Sequence, residues 1–118
     1  NQPTDLPRKQ MTLDDYQQKA KTTAMYPNRG NNIIYPTLGL TGEAGEVANK
    51  VKKIQDKDGV LGDEDKKELS KEIGDVLWYI ANLCSELKLN LSTVAKENIK
   101  KLSSRVKRNK LSGSGDNR

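Results

Sequence analysis

Histidine is absent from the 118 residues, phenylalanine is absent as well, and cysteine occurs once, at Cys84. Without histidine there is no His-based general acid–base catalysis, no Ser-His-Asp or Cys-His nucleophile, and no zinc site of the Cys/His kind. The lone cysteine excludes an internal disulfide and, on the apolar stripe of its helix, reads as a small buried hydrophobe. Without phenylalanine, a core must come from leucine, isoleucine, valine and alanine, helped by Trp78 and four tyrosines. No apolar run is long enough to cross a bilayer. No signal peptide is visible, although the chain opens at Asn1 rather than methionine, which leaves a trimmed leader open. A reducing cytoplasm and no membrane partner fit these absences. Any chemistry falls to carboxylates, lysines, hydroxyls or a bound metal.

The charge that is present is unevenly placed. The net charge is +5, with a basic stretch from Lys96 through Lys100, Lys101, Arg105, Lys107, Arg108 and Lys110, and an acidic middle. An acidic and a basic patch in one small domain suit a metal together with a phosphorylated ligand, and equally a solvated basic helix. Apolar periodicity predicts four helices and no strand. The first runs from an N-cap at Thr12 to about Met25. The second starts between Ile33 and Thr37, tolerates Pro36 in its first turn, and ends near Lys57 with Leu40, Ala44, Val47, Val51 and Ile54 as its buried stripe. Asp63 or Asp65 caps the third, whose stripe is Leu69, Ile73, Val76, Ile80, Leu83 and Leu87. Asn90 or Ser92 caps the fourth, which carries Ala95, Ile99, Leu102 and Val106 to about Asn109. The expected organisation is a flexible arm over residues 1–11, one helical domain over 12–110 and a tail over 111–118 of linker composition. The fold class is all-α, a four-helix bundle or half of one.

Two stretches repeat one pattern. Leu40-Thr-Gly-Glu43-Ala-Gly-Glu46-Val47 and Leu69-Ser-Lys-Glu72-Ile-Gly-Asp75-Val76 share Leu-x-x-Glu-x-Gly-(Glu/Asp)-Val, and Val51 falls where Ile80 falls. On a helix the two carboxylates of each copy sit on one face, at the same angular offset from the apolar stripe. If the stripes pack antiparallel, four carboxylates converge along one edge of the contact. A like-charge pair at about 4 Å costs roughly 4 kcal/mol at an effective dielectric near 20, so such a cluster calls for protonation, lysines or a divalent cation. Oxygen ligands without histidine or cysteine select Mg²⁺, with Mn²⁺ as a substitute. Gly42, Gly45 and Gly74 lie inside helices, each costing up to about 1 kcal/mol relative to alanine. Room for a ligand is one explanation at Gly42, and close helix packing explains Gly45 and Gly74. The competing reading has the carboxylates on solvated faces, neutralised by Lys50, Lys53 and Lys71.

Glu43-Ala-Gly-Glu46 followed by Glu72-Ile-Gly-Asp75, with their flanks, resembles the metal-binding signature of the MazG-like all-α nucleoside triphosphate pyrophosphohydrolases. The likeness spans residues 12 to 106. It departs from many members at Gly42, where they carry a further glutamate. The resemblance implies Mg²⁺-dependent hydrolysis of a nucleoside triphosphate to the monophosphate and pyrophosphate. It implies metal ligation and catalysis by Glu43, Glu46, Glu72 and Asp75, with Glu46 taking a proton from water. It also implies substrate contacts from Tyr79 at the nucleotide pocket, from Asn98 and Lys101 on the fourth helix, from Lys50 and Lys53, and from Gln17 near the base. A homodimer or homotetramer completing the bundle is expected as well. The reading from another class is a non-catalytic helical module binding nucleic acid through the basic fourth helix. That reading leaves the acidic repeat without a purpose.

Overall fold

Thr12 opens the first helix as its spacing predicts. In the computed structural model, which describes residues 10–108, its Oγ1 accepts from the Asp15 N–H at 3.0 Å, and the Asp15 carboxylate accepts from the Thr12 N–H at 3.1 Å. This reciprocal cap satisfies two N–H groups that the first turn would otherwise leave open. Helix α1 spans Leu13–Thr22 and stops short of Met25. Its last carbonyls are taken by hydroxyls, Thr22 Oγ1 on Lys19 O at 2.7 Å and Thr23 Oγ1 on Ala20 O at 2.8 Å. Side-chain bonds of this kind offer the backbone an exit from the helix.

Helix α2 runs Ile34–Lys57, within the expected bounds, with Pro36 buried in its first turn, where a missing N–H costs nothing. It ends at Gly59, which takes φ +73° and donates to Ile54 O at 3.0 Å. Helix α3 spans Asp63–Glu86. Asp65, its third residue, accepts from the Gly62 N–H at 3.0 Å, and acids fill its first turn, where the helix dipole favours them. Lys88 enters the left-handed region at φ +61°, and Leu89 N–H reaches back to Cys84 O at 2.8 Å. This closes α3 in a Schellman turn without a glycine. Helix α4 is Leu91–Lys107, with Asn90 Oδ1 accepting from the Thr93 N–H at 3.0 Å. No strand occurs among the described residues, and no helix among them is long and apolar enough to cross a membrane. The expected arm up to Lys9, the end of the basic stretch and the tail lie outside the described residues.

The most extensive contact is between α2 and α3. Contacts descend along α3 as they climb α2: Gly39 meets Tyr79, Glu43 meets Glu72 and Asp75, and Lys50 meets Glu72 and Glu68. The pair is therefore antiparallel. Helix α1 packs on α3, and α4 leans on α1. The buried core lies on that side, in Ala20, Ala81, Cys84 and Leu91, with Tyr16, Trp78 and Ile80 against it. Cys84 is buried there as expected, and burial pushes its thiol pKa up.

Part of the expected stripes is not covered. Ile99 is 62% exposed, Val106 60%, Ile73 57%, and Val51 and Leu87 are also open. A helix pair covers only the side of each stripe that faces its partner, and α4, leaning on α1, does not extend that cover. The glycines differ from expectation too. A Cβ on Gly45 or Gly74 would meet no atom within 4 Å, so neither marks a close helix contact. The close approach is at Gly39, against whose Cα the Tyr79 ring rests.

Candidate metal and nucleotide site

Three carboxylates converge where the antiparallel pair aligns the two acidic motifs. Oxygens of Glu43 from α2 and of Glu72 and Asp75 from α3 all lie within 4.8 Å of one another. Glu46, one turn beyond Glu43, is exposed and stands outside this trio. Burial, and then the proximity of Glu72, Asp75 and Glu46, raise the pKa of the Glu43 carboxyl above the usual carboxylate range. Its Oε2 is buried with no hydrogen-bond partner.

Lysine neutralisation is thin. Lys50 Nζ stands 3.9 Å from Glu72 and 3.9 Å from Glu68, while Lys71 pairs with Glu68 at 3.2 Å rather than with the trio. Among the described residues no cation pairs with Glu43 or Asp75. Lys53 lies farther along α2, in a groove of about 220 Å³ with Lys50, Lys57, Asp65 and Glu68. A buried carboxylate oxygen without a donor costs free energy. An all-oxygen trio open on one side fits a hard divalent cation, which would supply the missing partner.

On the other side of the trio is an aromatic wall. Tyr79, one turn after Asp75, stands edge-on to Trp78 at 5.0 Å and tilted against Tyr35 at 6.1 Å, and Tyr35 stacks on Tyr26 at 4.6 Å with 15° between planes. Tyr35, Tyr79, Gly39, Leu38, Ile34 and Asn32 line a cleft of about 460 Å³. Burial, then Tyr35 and the negative charges of Glu43 and Asp75, raise the Tyr79 pKa, so its phenol stays protonated as a donor beside the acids.

The chain matches the family model of the MazG nucleotide pyrophosphohydrolase domain over residues 36–109. It belongs to that family. Its sequence is also 51% identical, over 114 residues covering 92% of this chain and 100% of the relative, to the Gene 37 protein of Mycobacterium phage L5. No solved structure matches it. The MazG match takes in α2, α3 and α4, and so holds both acidic motifs and the α4 positions.

The remaining positions expected to contact a substrate are scattered. Asn98 and Lys101 line a groove of about 540 Å³ with Leu89, Asn90, Thr93, Val94 and Glu97, a surface that includes none of the four motif carboxylates. Within one chain they are not brought to the acidic trio. Gln17, expected near the base, is instead buried and engaged elsewhere. Its Nε2 donates to Leu89 O at 2.9 Å and Ser85 Oγ at 3.2 Å, and its Oε1 accepts from the Leu91 N–H at 2.8 Å. Its amide thus ties α1 to the α3–α4 turn. Gln17→Ala strips a buried backbone donor of its acceptor and is expected to cost about 1–3 kcal/mol of stability, read as a fall in thermal midpoint.

Two residues that bear on the cleft escaped sequence reasoning. Tyr35 looked like part of a helix start, and its role depends on Tyr26 and Tyr79 from other elements. Glu86 carries a fainter signal: an acid in the last turn of α3, where the helix dipole opposes negative charge, needs local compensation.

Proposed function

We propose that this protein hydrolyses (deoxy)nucleoside triphosphates to the monophosphate and pyrophosphate, with Mg²⁺ held by Glu43, Glu72 and Asp75, in a reducing cytoplasm. The observation that carries the reading is the convergence of these three carboxylates around a buried, unpartnered Glu43 oxygen with almost no lysine to neutralise them. Bound there, Mg²⁺ (or Mn²⁺) would lower the pKa of an attacking water and offset charge on the phosphates. Glu46, next to the trio but outside it, is free to accept the water's proton. The water oxygen bonds to the α-phosphorus, the bond from that phosphorus to the bridging oxygen breaks, and pyrophosphate leaves. Lys50, beside Glu72, and Lys53 beyond it stand on the side where departing charge could be met. The planar base fits the cleft that Tyr35, Tyr79 and Gly39 line, which at Gly39 and Tyr79 comes within one turn of the carboxylates on both helices. In this reading Asn98 and Lys101 reach a substrate only if a second copy brings its α4 over the site. The uncovered apolar side chains of all three long helices favour such a homodimer or homotetramer.

The test is pyrophosphate release from a panel of ribo- and deoxynucleoside triphosphates. Turnover that requires Mg²⁺, stops with chelator and yields pyrophosphate rather than orthophosphate is expected. No turnover on any nucleotide, together with metal-independent and salt-sensitive DNA binding, would overturn the reading in favour of the nucleic-acid module. The burial of Arg105 removes one basic side chain of α4 from any such surface.

A further inference from the structure

Glu86 is 8% exposed, in the last turn of α3, yet its carboxyl is held below the usual carboxylate range. Burial alone would raise it. The Asn32 N–H, the Tyr26 hydroxyl, the Gly30 N–H and the charge of Lys88 outweigh that effect. The geometry is specific: Oε1 accepts from Asn32 N at 2.7 Å, and Oε2 accepts from Gly30 N at 2.8 Å and from the Tyr26 hydroxyl at 2.5 Å. All three donors belong to the loop between α1 and α2, which turns through Asn28 at φ +55° and Gly30 at φ +98°. The other bonds made by the Tyr26–Asn32 segment are short-range, such as Asn32 Nδ2 to Pro27 O at 2.8 Å and Arg29 to Ala24 O at 2.7 Å. Trp78 Nε1 donates to Thr23 Oγ1 at 2.7 Å where the loop begins, but the Tyr26–Asn32 segment is hydrogen-bonded to α3 through one carboxylate.

What that carboxylate grips is the back of the aromatic cleft. Tyr26 supports Tyr35 by stacking, while Asn32 lines the cleft and its Oδ1 accepts from the Tyr35 N–H at 3.0 Å. Tyr35 is thus braced at its ring and at its backbone by two residues that Glu86 holds. The adjoining ring, Tyr79, tilted against Tyr35, stands on the same helix as Glu86.

We propose that Glu86 is a positioning residue for the nucleobase: it sets where the Tyr35 ring lies against Tyr79 in the cleft lining by clamping the Tyr26–Asn32 loop to the helix that carries Tyr79. It touches no substrate. The inference rests on the base occupying this cleft, as proposed above. Glu86→Gln keeps the shape but replaces one acceptor oxygen with an NH₂ facing donors, and so releases one end of the clamp. Tyr26→Phe keeps the stack and removes a single bond.

The test is nucleoside triphosphate affinity without turnover, measured with Ca²⁺ in place of Mg²⁺ and followed by emission of Trp78, the sole tryptophan, which stands edge-on to Tyr79. Thr12→Ala, which loses the α1 cap at a cost of about 1 kcal/mol, serves as a destabilised control remote from the cleft. At a temperature where circular dichroism finds every variant folded, Kd is expected to rise about tenfold for Glu86→Gln and about threefold for Tyr26→Phe. For Thr12→Ala the thermal midpoint falls with Kd unchanged. Wild-type affinity in a folded Glu86→Gln, or an equal loss in Thr12→Ala, would overturn the proposal. If Glu86→Gln does not fold, unchanged affinity in Tyr26→Phe overturns it. A wild type that binds no nucleotide overturns the nucleotide reading itself, an outcome distinct from binding that ignores Glu86.

Discussion

Glu43→Gln is expected to lower pyrophosphate release by about 10²–10³-fold while raising the stability of the metal-free protein. The two effects have one cause. Glu43 is half-buried, with an oxygen that finds no donor and three acidic neighbours that resist its ionisation. In the absence of a cation this crowding opposes folding. Each like-charge pair at about 4 Å is worth roughly 4 kcal/mol at an effective dielectric near 20 before protonation and rearrangement relieve it. A neutral amide removes part of that repulsion and can donate to Glu72, so the variant gains on the order of 1 kcal/mol in chelator. With a cation the order reverses. A ligand that binds only the folded state stabilises by about 2.7 kcal/mol at a hundred times its Kd, and the wild type collects this gain while the variant, short of one ligand oxygen, collects little. Thermal midpoints in chelator and in Mg²⁺, set beside pyrophosphate release, give four numbers that must cross. A wild type more stable than the variant in both conditions would remove Glu43 from the metal site.

The trio was legible in the sequence because a helix carries its own angular code. Three-residue spacing put each acidic pair on one face, and matching offsets from the Leu and Val positions made convergence in an antiparallel pair a geometric consequence. The helix ends were legible for similarly local reasons, in the Thr12 and Asn90 caps and the glycines after Lys57. What the angular code omits is the partner's depth and rotation. Gly39, Gly42, Gly45 and Gly74 are alike in sequence, yet only Gly39 has a ring against it. Val51 and Ile73 sit in register with half-buried neighbours but on the side of the stripe that the α2–α3 contact does not reach. Gln17 and Glu86 bond to residues 54 to 74 positions away, a range at which a single sequence carries no spacing signal. These two polar side chains hold α1, the loop and the α3–α4 turn in place. The framing of the site was therefore hidden, while its charged centre was not.

Gly39→Ala is expected to destabilise the protein, against the usual gain from replacing a helical glycine. Alanine in a helix interior is favoured by about 1 kcal/mol, and at Gly74, where a Cβ meets nothing within 4 Å, that gain should appear as a higher thermal midpoint. At Gly39 the new methyl runs into the Tyr79 ring. The ring cannot retreat freely, since Trp78 stands edge-on to it and Tyr35 leans on it from the cleft side. Overpacking of this kind costs about 1–3 kcal/mol, which outweighs the propensity gain and should lower the midpoint by several degrees, at about 4–8 °C per kcal/mol for a domain this size. A double-mutant cycle separates the two terms. On a Tyr79→Ala background the collision has no partner, and Gly39→Ala should revert to the stabilising sign seen at Gly74. If instead Gly39→Ala stabilises the wild type, the ring moves aside at little cost, and Tyr79 is not the fixed wall on which the cleft depends.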